Sequence, residues 1–350
     1  MGSIKVNTEI ITTRLVLLQL IFMACTTIII FGALNYTILN KRPASEPAPM
    51  LQNFTPKDRS AINMRPATID VGFFIRNFSV FDMVKGEFTF SGSVWFEFDP
   101  YRITLNDISD FTFFKGTILE KSEPQTYLTD GKTHARYDIK VAISSPLEYQ
   151  RFPIDSHRID ISLVHRFLGA ESFSFASKNT TFQMNKQATA ETAEWQMIRK
   201  FVKCGYISEQ QNKYSTKTTL SYPVAYFTIE YFRKGMRNTL LILLPILLML
   251  FIALFAILLN PEQYKTSIIS ISTATLTTVI AYRFIIENIS PKGGYFMLSD
   301  YLYFTFLLAL FVIFLLSFVI DKLTSLQKQI FVMSTHIIVT FCSVYFILKS

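Results

Sequence analysis

The chain has 350 residues, of which 50% are apolar, 15% aromatic and 17% charged, and its mean hydropathy is +0.31. Those proportions exclude a disordered chain and argue against a wholly soluble one, because soluble domains run near a quarter charged. The net charge of +8 is spread along the chain rather than clustered, which speaks against a nucleic-acid partner.

The first element is an uncharged apolar stretch over 15–39, preceded by residues 1–14 with Lys5 and Arg14. A cleaved signal peptide has an apolar stretch of about 7–15 residues and a small-residue cleavage site. This stretch is longer, and Phe22-Met23-Ala24-Cys25 is a poor lipoprotein box. It reads as a retained membrane anchor with 1–14 on the cytoplasmic side, a signal peptide being the alternative. Either way the following domain lies outside the cytoplasm.

Residues 40–66 hold Pro43, Pro47, Pro49, Pro56 and Pro66 and read as a linker. Over 67–237 the pattern turns to strands. Phe88, Phe90, Val94, Phe96 and Phe98 share one parity, while Glu87, Thr89, Ser91, Ser93 and Glu97 share the other. That is the period of a half-buried strand. Ala135, Tyr137, Ile139, Val141 and Ile143 repeat it, as do Ile159, Ile161 and Leu163, and then Val224 and Tyr226. Asp99-Pro100, Asp130-Gly131 and Ser145-Pro146 supply turns. The expectation is an immunoglobulin-like β-sandwich. Cys25, Cys204 and Cys342 lie in different segments and suggest neither a disulfide framework nor a metal site.

Residues 238–350 form a membrane domain, with apolar helices expected at about 239–259, 264–286, 301–320 and 330–348. Each is long enough to span, since a span takes about 20 residues. The fold class expected for the whole chain is therefore a β-sandwich plus a four-helix transmembrane bundle, with an additional N-terminal hydrophobic helix. Lys322 and Lys328 favour a cytoplasmic loop there, but Arg233, Lys234 and Arg237 on the outer side oppose the positive-inside rule, so charge does not set the orientation.

The second of these helices stands apart. Between 264 and 286 it holds Thr266, Ser267, Ser270, Ser272, Thr273, Thr275, Thr277 and Thr278. Lipid offers hydroxyls no partner, so such density implies helix packing or a water-facing wall. Ser267, Ser270, Ala274, Thr277, Ala281, Phe284 and Asn288 recur at alternating spacings of 3 and 4 and form one narrow stripe. One helix cannot enclose water, but several copies around an axis can. Tight packing inside a single bundle is the alternative. Glu287 and Asn288 would ring the outer mouth, and carboxylate rings favour cations. Lys265 near the inner mouth would oppose them. Arg283 is placed to pair with Glu287 at i, i+4, which leaves simple neutralisation of Arg283 open as the role of Glu287. Phe284 is the bulkiest group on the stripe, and a phenyl ring there would close a pore by dewetting.

Ser145-Pro146-Leu147-Glu148-Tyr149-Gln150-Arg151-Phe152-Pro153-Ile154-Asp155-Ser156-His157 resembles the signature loop of the pentameric ligand-gated ion channels, with Ser145 and Ile159 where animal receptors carry bridging cysteines. Val94–Pro100, Glu194-Trp195, Arg233-Lys234, Pro245 in the first core helix, Val279–Pro291 and the segment from Tyr301 are similar to further family features in the same order. The resemblance covers about 67–350 and points to the prokaryotic members, which lack the bridge. It implies a homopentamer in the cell (inner) membrane that opens to a small-molecule or proton agonist, passes inorganic ions and carries no cofactor. It also implies that Asp155 pairs with Arg233, and that Pro291 and Lys292 lie in the loop on which the signature loop presses. At Thr277 the family usually carries a bulky apolar residue, which moves the expected gate to Phe284. The N-terminal helix is not usual in the family.

Family ligand sites are built from aromatics, and a cation over such a face gains about 0.5–2 kcal/mol. Trp95, Phe167, Phe173, Tyr206, Tyr214 and Tyr222 are the candidates, each equally open to a core role. His134, His157 and His165 are candidates for proton sensing. Scattered histidines, with no phosphate loop and no nucleophile elbow, leave no catalytic site to name, so the chain does not read as an enzyme. A membrane-anchored sensor that does not conduct is the alternative to a channel.

Overall fold

The computed structural model describes residues 2–40, 44, 46–47, 50–51, 66–169, 172–185, 188, 194–213, 216–234 and 236–349. The chain divides into two units. One comprises Pro43–Glu148 and Ser156–Lys234; the other comprises Met1–Arg42, Tyr149–Asp155 and Gly235–Ser350. Most of the expected linker lies outside the described residues.

The first unit is rich in strands. They are β1 (Ala67–Asp82), β2 (Glu87–Phe98), β3 (Phe111–Phe114), β4 (Gly116–Lys121), β5 (Gln125–Thr129), β6 (Lys132–Ser144), β7 (Ser156–His165), β8 (Phe173–Ala176), β9 (Phe182–Met184), β10 (Trp195–Lys213) and β11 (Thr216–Arg233). A seven-stranded mixed sheet follows the order β4-β6-β2-β1-β8, with β5 on β6 and β9 on β1; a four-stranded sheet follows β10-β11-β7-β3. The alternation along β2 decides its faces: Phe88, Phe90, Val94, Phe96 and Phe98 are buried, while Glu87 is exposed. Asp130 and Gly131, at φ of 50° and 74°, turn β5 into β6. Positive φ at both central residues is the hairpin geometry that Asp-Gly favours.

Rings of one sheet touch rings of the other. Phe73 of β1 stacks on Phe227 of β11 at 4.9 Å, and Phe182 meets Phe227 edge-on at 5.3 Å. Phe81 meets Tyr231 at 5.2 Å, and Phe96 meets Phe111 at 5.3 Å. The core of this unit is thus largely aromatic, and such pairs add about 0.5–1.5 kcal/mol each to simple burial. A short helix, α2 (Leu105–Ser109), starts at a reciprocal cap: Asp107 N donates to Thr104 Oγ1 at 3.2 Å and Thr104 N donates to Asp107 Oδ2 at 2.9 Å.

The second unit is helical: α1 (Gly2–Leu39), α3 (Arg237–Ile257), α4 (Pro261–Ile289), α5 (Leu298–Ser317) and α6 (Ser325–Lys349). Five spans among the described residues are long and apolar enough to cross a membrane: Leu17–Leu39, Arg237–Ile257, Pro261–Ile289, Leu298–Ser317 and Ser325–Lys349. Every helix of this unit begins earlier than apolarity suggests, and at three of them a cap sets the start. The Asn260 side chain accepts from Glu262 N at 3.2 Å with Pro261 in the first turn. Asp300 Oδ2 accepts from Met297 N at 2.8 Å ahead of α5. Thr324 and Gln327 form a capping box before α6. Helix α3 continues through Pro245, whereas α4 is interrupted at Tyr264 (φ −122°, ψ 15°). Helices α3, α4 and α5 pack on one another, α6 packs on α5, and α1 packs on α6.

Candidate functional site

Helix α4 has two unlike faces. Ile268, Ser272, Thr275, Val279 and Ile286 are buried against the rest of the unit. Ser267, Ser270, Ala274, Thr277, Ala281, Phe284 and Asn288 are all exposed. The hydroxyls therefore divide between a packed set and a set that no described residue covers. Thr275 returns its hydroxyl to the Ile271 carbonyl at 3.0 Å, which is how an interior threonine satisfies itself in a helix. Phe284 is 69% exposed, the most open large apolar group of α4.

At the C-terminal end of α4 the charges are cross-linked. Arg283 Nε donates to Glu287 Oε1 at 3.0 Å, and Arg283 Nη1 donates to Asp300 Oδ1. The guanidinium is thus matched by two carboxylates, and Lys292 brings a second cation to this end. Glu287 remains 55% exposed at its side chain. Arg283, Glu287, Ser290, Pro291, Lys292, Tyr295 and Asp300 are among the residues around a cavity of about 550 Å³. At the other end Lys265 Nζ bonds Asp321 Oδ2 at 2.9 Å, so the cation expected to oppose the glutamates is itself offset. That bond, with Lys265 as first cause, holds the exposed Asp321 carboxyl below its usual range.

The segment Tyr149–Asp155 clusters with the helices, although both its chain neighbours belong to the strand-rich unit. Its backbone is bonded directly to the start of α5: Leu298 N donates to the Gln150 carbonyl at 2.8 Å and Ser299 N to the Phe152 carbonyl at 3.1 Å. Tyr295 Oη accepts from Tyr149 N at 2.7 Å. The Phe152–Pro153 peptide is cis. Asp155 is fully buried. Pro291 is buried and Lys292 exposed. In the strand-rich unit, Arg233 lies over the Trp195 ring at 4.4 Å and bonds Glu194 at 3.3 Å.

Register across the four-stranded sheet sets Arg199, Glu230 and Arg158 in one row. Glu230 accepts from Arg158 at 2.7 Å and from Arg199 at 2.5 Å. Burial would raise the Glu230 carboxyl, but the hydrogen bonds from Arg199 and Arg158 outweigh it and hold it below the usual value. Beside this row Glu46 is buried. Its Oε1 takes His157 Nδ1 at 2.8 Å and Glu148 N at 3.1 Å, its Oε2 takes Arg158 N at 3.0 Å, and its carbonyl takes Arg158 Nη1 at 3.0 Å. A cavity of about 360 Å³ adjoins it, with Asp160, Ser162, Tyr226 and Lys115 in its wall.

Asp160 is the unstable member. Burial raises its carboxyl above the ordinary 3.8, against the hydrogen bond from Thr228 at 2.6 Å and the Arg158 charge. The folded state therefore holds that proton more firmly than the unfolded state, and stability is lost as pH climbs from 3.8 through the raised value. Asp160→Asn keeps an oxygen for Thr228 and removes the loss. The variant should gain on the wild type at pH 7 relative to pH 4, read from denaturation midpoints; an equal difference at both would refute this.

The aromatic ligand candidates do not form one cluster. Trp95 is on β2 of the seven-stranded sheet, while Tyr206 and Tyr222 are on β10 and β11 of the other. Tyr206 is buried and Tyr222 half-buried. Phe173 is 1% exposed, edge-on to Phe175 at 5.2 Å, and sits in the core. Phe167 is 75% exposed. Tyr214 lies outside the described residues. Of the histidines, His165 Nε2 meets the Asp107 carbonyl at 2.5 Å and burial lowers its pKa. His134 stacks on Tyr127 at 4.7 Å beside Glu97. Burial pushes the Cys204 thiol up to about 12. Among the described residues no group of three or more His, Cys, Asp or Glu is placed to hold a metal. Glu46, Asp300 and Tyr295 were not legible as site residues. Glu46 is the one acid in the proline-rich 43–49 stretch, and that contrast was the available signal. The sequence matches no family model and no curated protein.

Proposed function

We propose that the chain is one subunit of a homopentameric ligand-gated ion channel with a pore lined by α4. The single observation that carries the reading is the uncovered stripe of α4. Its hydroxyl- and methyl-sized groups run from Ser267 to Ala281, with Phe284 and Asn288 beyond them, while Ile268, Ser272, Thr275, Val279 and Ile286 are buried by the rest of the unit. Lipid would leave Ser267, Ser270 and Thr277 to bond only within their own helix, whereas a shared water column gives them partners.

In this reading the two sheets are an extracytoplasmic β-sandwich, α3–α6 are the four-helix bundle and α1 is additional. Glu287, 55% exposed at its side chain, would supply a carboxylate ring at the outer mouth, which favours cations. Phe284 is the gate. Asp155, Arg233, Pro291 and Lys292 carry the coupling, with Tyr149–Asp155 as the segment that is continuous with β6 and β7 and bonded to α5. Agonist contacts fall to Trp95, Phe167, Tyr206, Tyr214 and Tyr222, brought together across neighbouring subunits, while Phe173 stays a core residue.

The test is Ser270→Cys in a background with Cys25, Cys204 and Cys342 replaced by alanine, reconstituted in liposomes and screened over pH and small amines. An aqueous thiol reagent should block ion flux within the open channel. Flux that persists after the introduced thiol has met the reagent in an open channel, or no flux under any condition, would overturn the pore assignment.

A further inference from the structure

We infer that the N-terminal helix stays in the mature protein as a fifth membrane helix, seated on α6 by a polar seam around His336. Helix α1 buries one face only: Gln19, Thr26, Ile30, Leu34 and Thr37 are covered, while Leu17, Ile21, Ile28 and Ile29 are exposed. Three of the covered residues are polar; Thr37 bonds back to the Ala33 carbonyl, and the other two, Gln19 and Thr26, meet one partner. Gln19 Nε2 lies 3.1 Å from His336 Nε2, and Thr26 Oγ1 lies 3.1 Å from His336 Nδ1. Thr340 Oγ1 continues the seam, donating to Thr26 Oγ1 at 3.3 Å. His336 is 1% exposed, with Phe22 and Phe251 flanking its ring at 6.0 and 5.7 Å.

The chemistry closes in the neutral imidazole. One ring nitrogen is a donor and the other an acceptor, an amide can serve either, and a hydroxyl can serve either. Both nitrogens are therefore satisfied whichever tautomer is present. Hydrocarbon offers no substitute for either partner, and an unpaired polar group there is costly. Removal of α1 would leave His336 bare in the membrane. An apolar stretch meant only for export has no need of a glutamine and a threonine matched to a histidine more than 300 residues away. The chain that follows is fastened as well: Glu46, within the strand-rich unit, has both carboxylate oxygens occupied by His157, Glu148 N and Arg158 N.

The inference stands apart from conduction and is read without it. The full chain carrying a C-terminal tag is purified from membranes and its intact mass taken. The expected mass includes α1; one lacking residues 1–39 would overturn the inference. In the cysteine-free background, Thr26→Cys and Thr340→Cys are combined with a protease site inserted within 52–65. After mild oxidation and cleavage, the N-terminal fragment should stay on the C-terminal part in a non-reducing gel and leave it on reduction. A free fragment, or one joined to a second chain, would refute the seat. A third arm guards against a variant that fails to fold. Gln19→Leu alone should lower the thermal midpoint more than Gln19→Leu/Thr26→Val/His336→Leu, since an orphaned buried group costs more than an all-apolar replacement. A triple variant worse than the single would count against the seam.

Discussion

Glu230→Leu is expected to destabilise the strand-rich unit by about 3–5 kcal/mol, the usual cost of removing one partner of a buried ion pair. Glu230 is 1% exposed and Arg158 is 7% exposed. With the carboxylate gone, Arg158 keeps the Glu46 carbonyl as a hydrogen-bond acceptor, and its charge has lost its nearest counterion. Arg199 is more than half exposed and rehydrates at little cost. The double variant Arg158→Met/Glu230→Leu removes both charges and should recover most of the loss, because a buried pair breaks about even against apolar residues of similar volume. The pH dependence has a definite sign. Glu230 titrates lower in the folded state than its ordinary 4.5. Its contribution is fully present above 4.5 and fades as pH falls through the lowered value, opposite in sense to Asp160. The two tryptophans, Trp95 and Trp195, both lie in this unit, so denaturation followed by their fluorescence reports it selectively. A double variant as unstable as Glu230→Leu would show that packing, not an unpaired charge, dominates.

What could be read along the chain was periodic or local. The alternation from Phe88 to Phe98 is a property of neighbouring residues, and β2 follows it. Asp130-Gly131 states its own turn, and the lengths of the apolar runs place the helices. Helix ends shifted because Asn260, Asp300 and Thr324 cap by hydrogen bonds, to which hydropathy is blind. What could not be read was long-range and singular. His157 meets Glu46 across 111 residues and His336 meets Gln19 across 317; neither pair leaves a repeat that a window could detect. The α4 stripe lies between these cases. Its spacing was plain in the sequence, but which face the other helices would cover was not, and Ser272 and Thr275 went inward while Ser270 and Thr277 did not. Phe173 shows the converse difficulty: an aromatic in a strand looks the same whether it meets a ligand or, as here, Phe175 and His165.

Phe284→Ser is expected to raise ion flux in the absence of any agonist by about tenfold or more. The phenyl is 69% exposed in the isolated chain and stands on the same stripe as Ser270 and Thr277. Copies around a common axis would set a collar of rings between polar zones, since Asn288 lies beyond it and the hydroxyls lie before it. In the proposed pore an apolar collar would dewet, and an ion entering it would shed hydration with nothing to replace it. Serine supplies a hydroxyl and removes the bulk at once. Only about 1.4 kcal/mol off the barrier is needed for a tenfold change, and the apolar surface of one phenyl is worth about 1.5–3 kcal/mol in contact with water. Phe284→Leu keeps the collar apolar and should stay closed at rest. Leu308→Ser, on α5 with 64% of its surface exposed, puts the same hydroxyl off the stripe and should leave resting flux unchanged. Tracer efflux from liposomes separates the three. A serine at 284 that leaves the vesicles as tight as the wild type, in protein that still assembles, would remove Phe284 as the gate; equal leakage from the 284 and 308 serines would trace the flux to a damaged bilayer rather than to an opened collar.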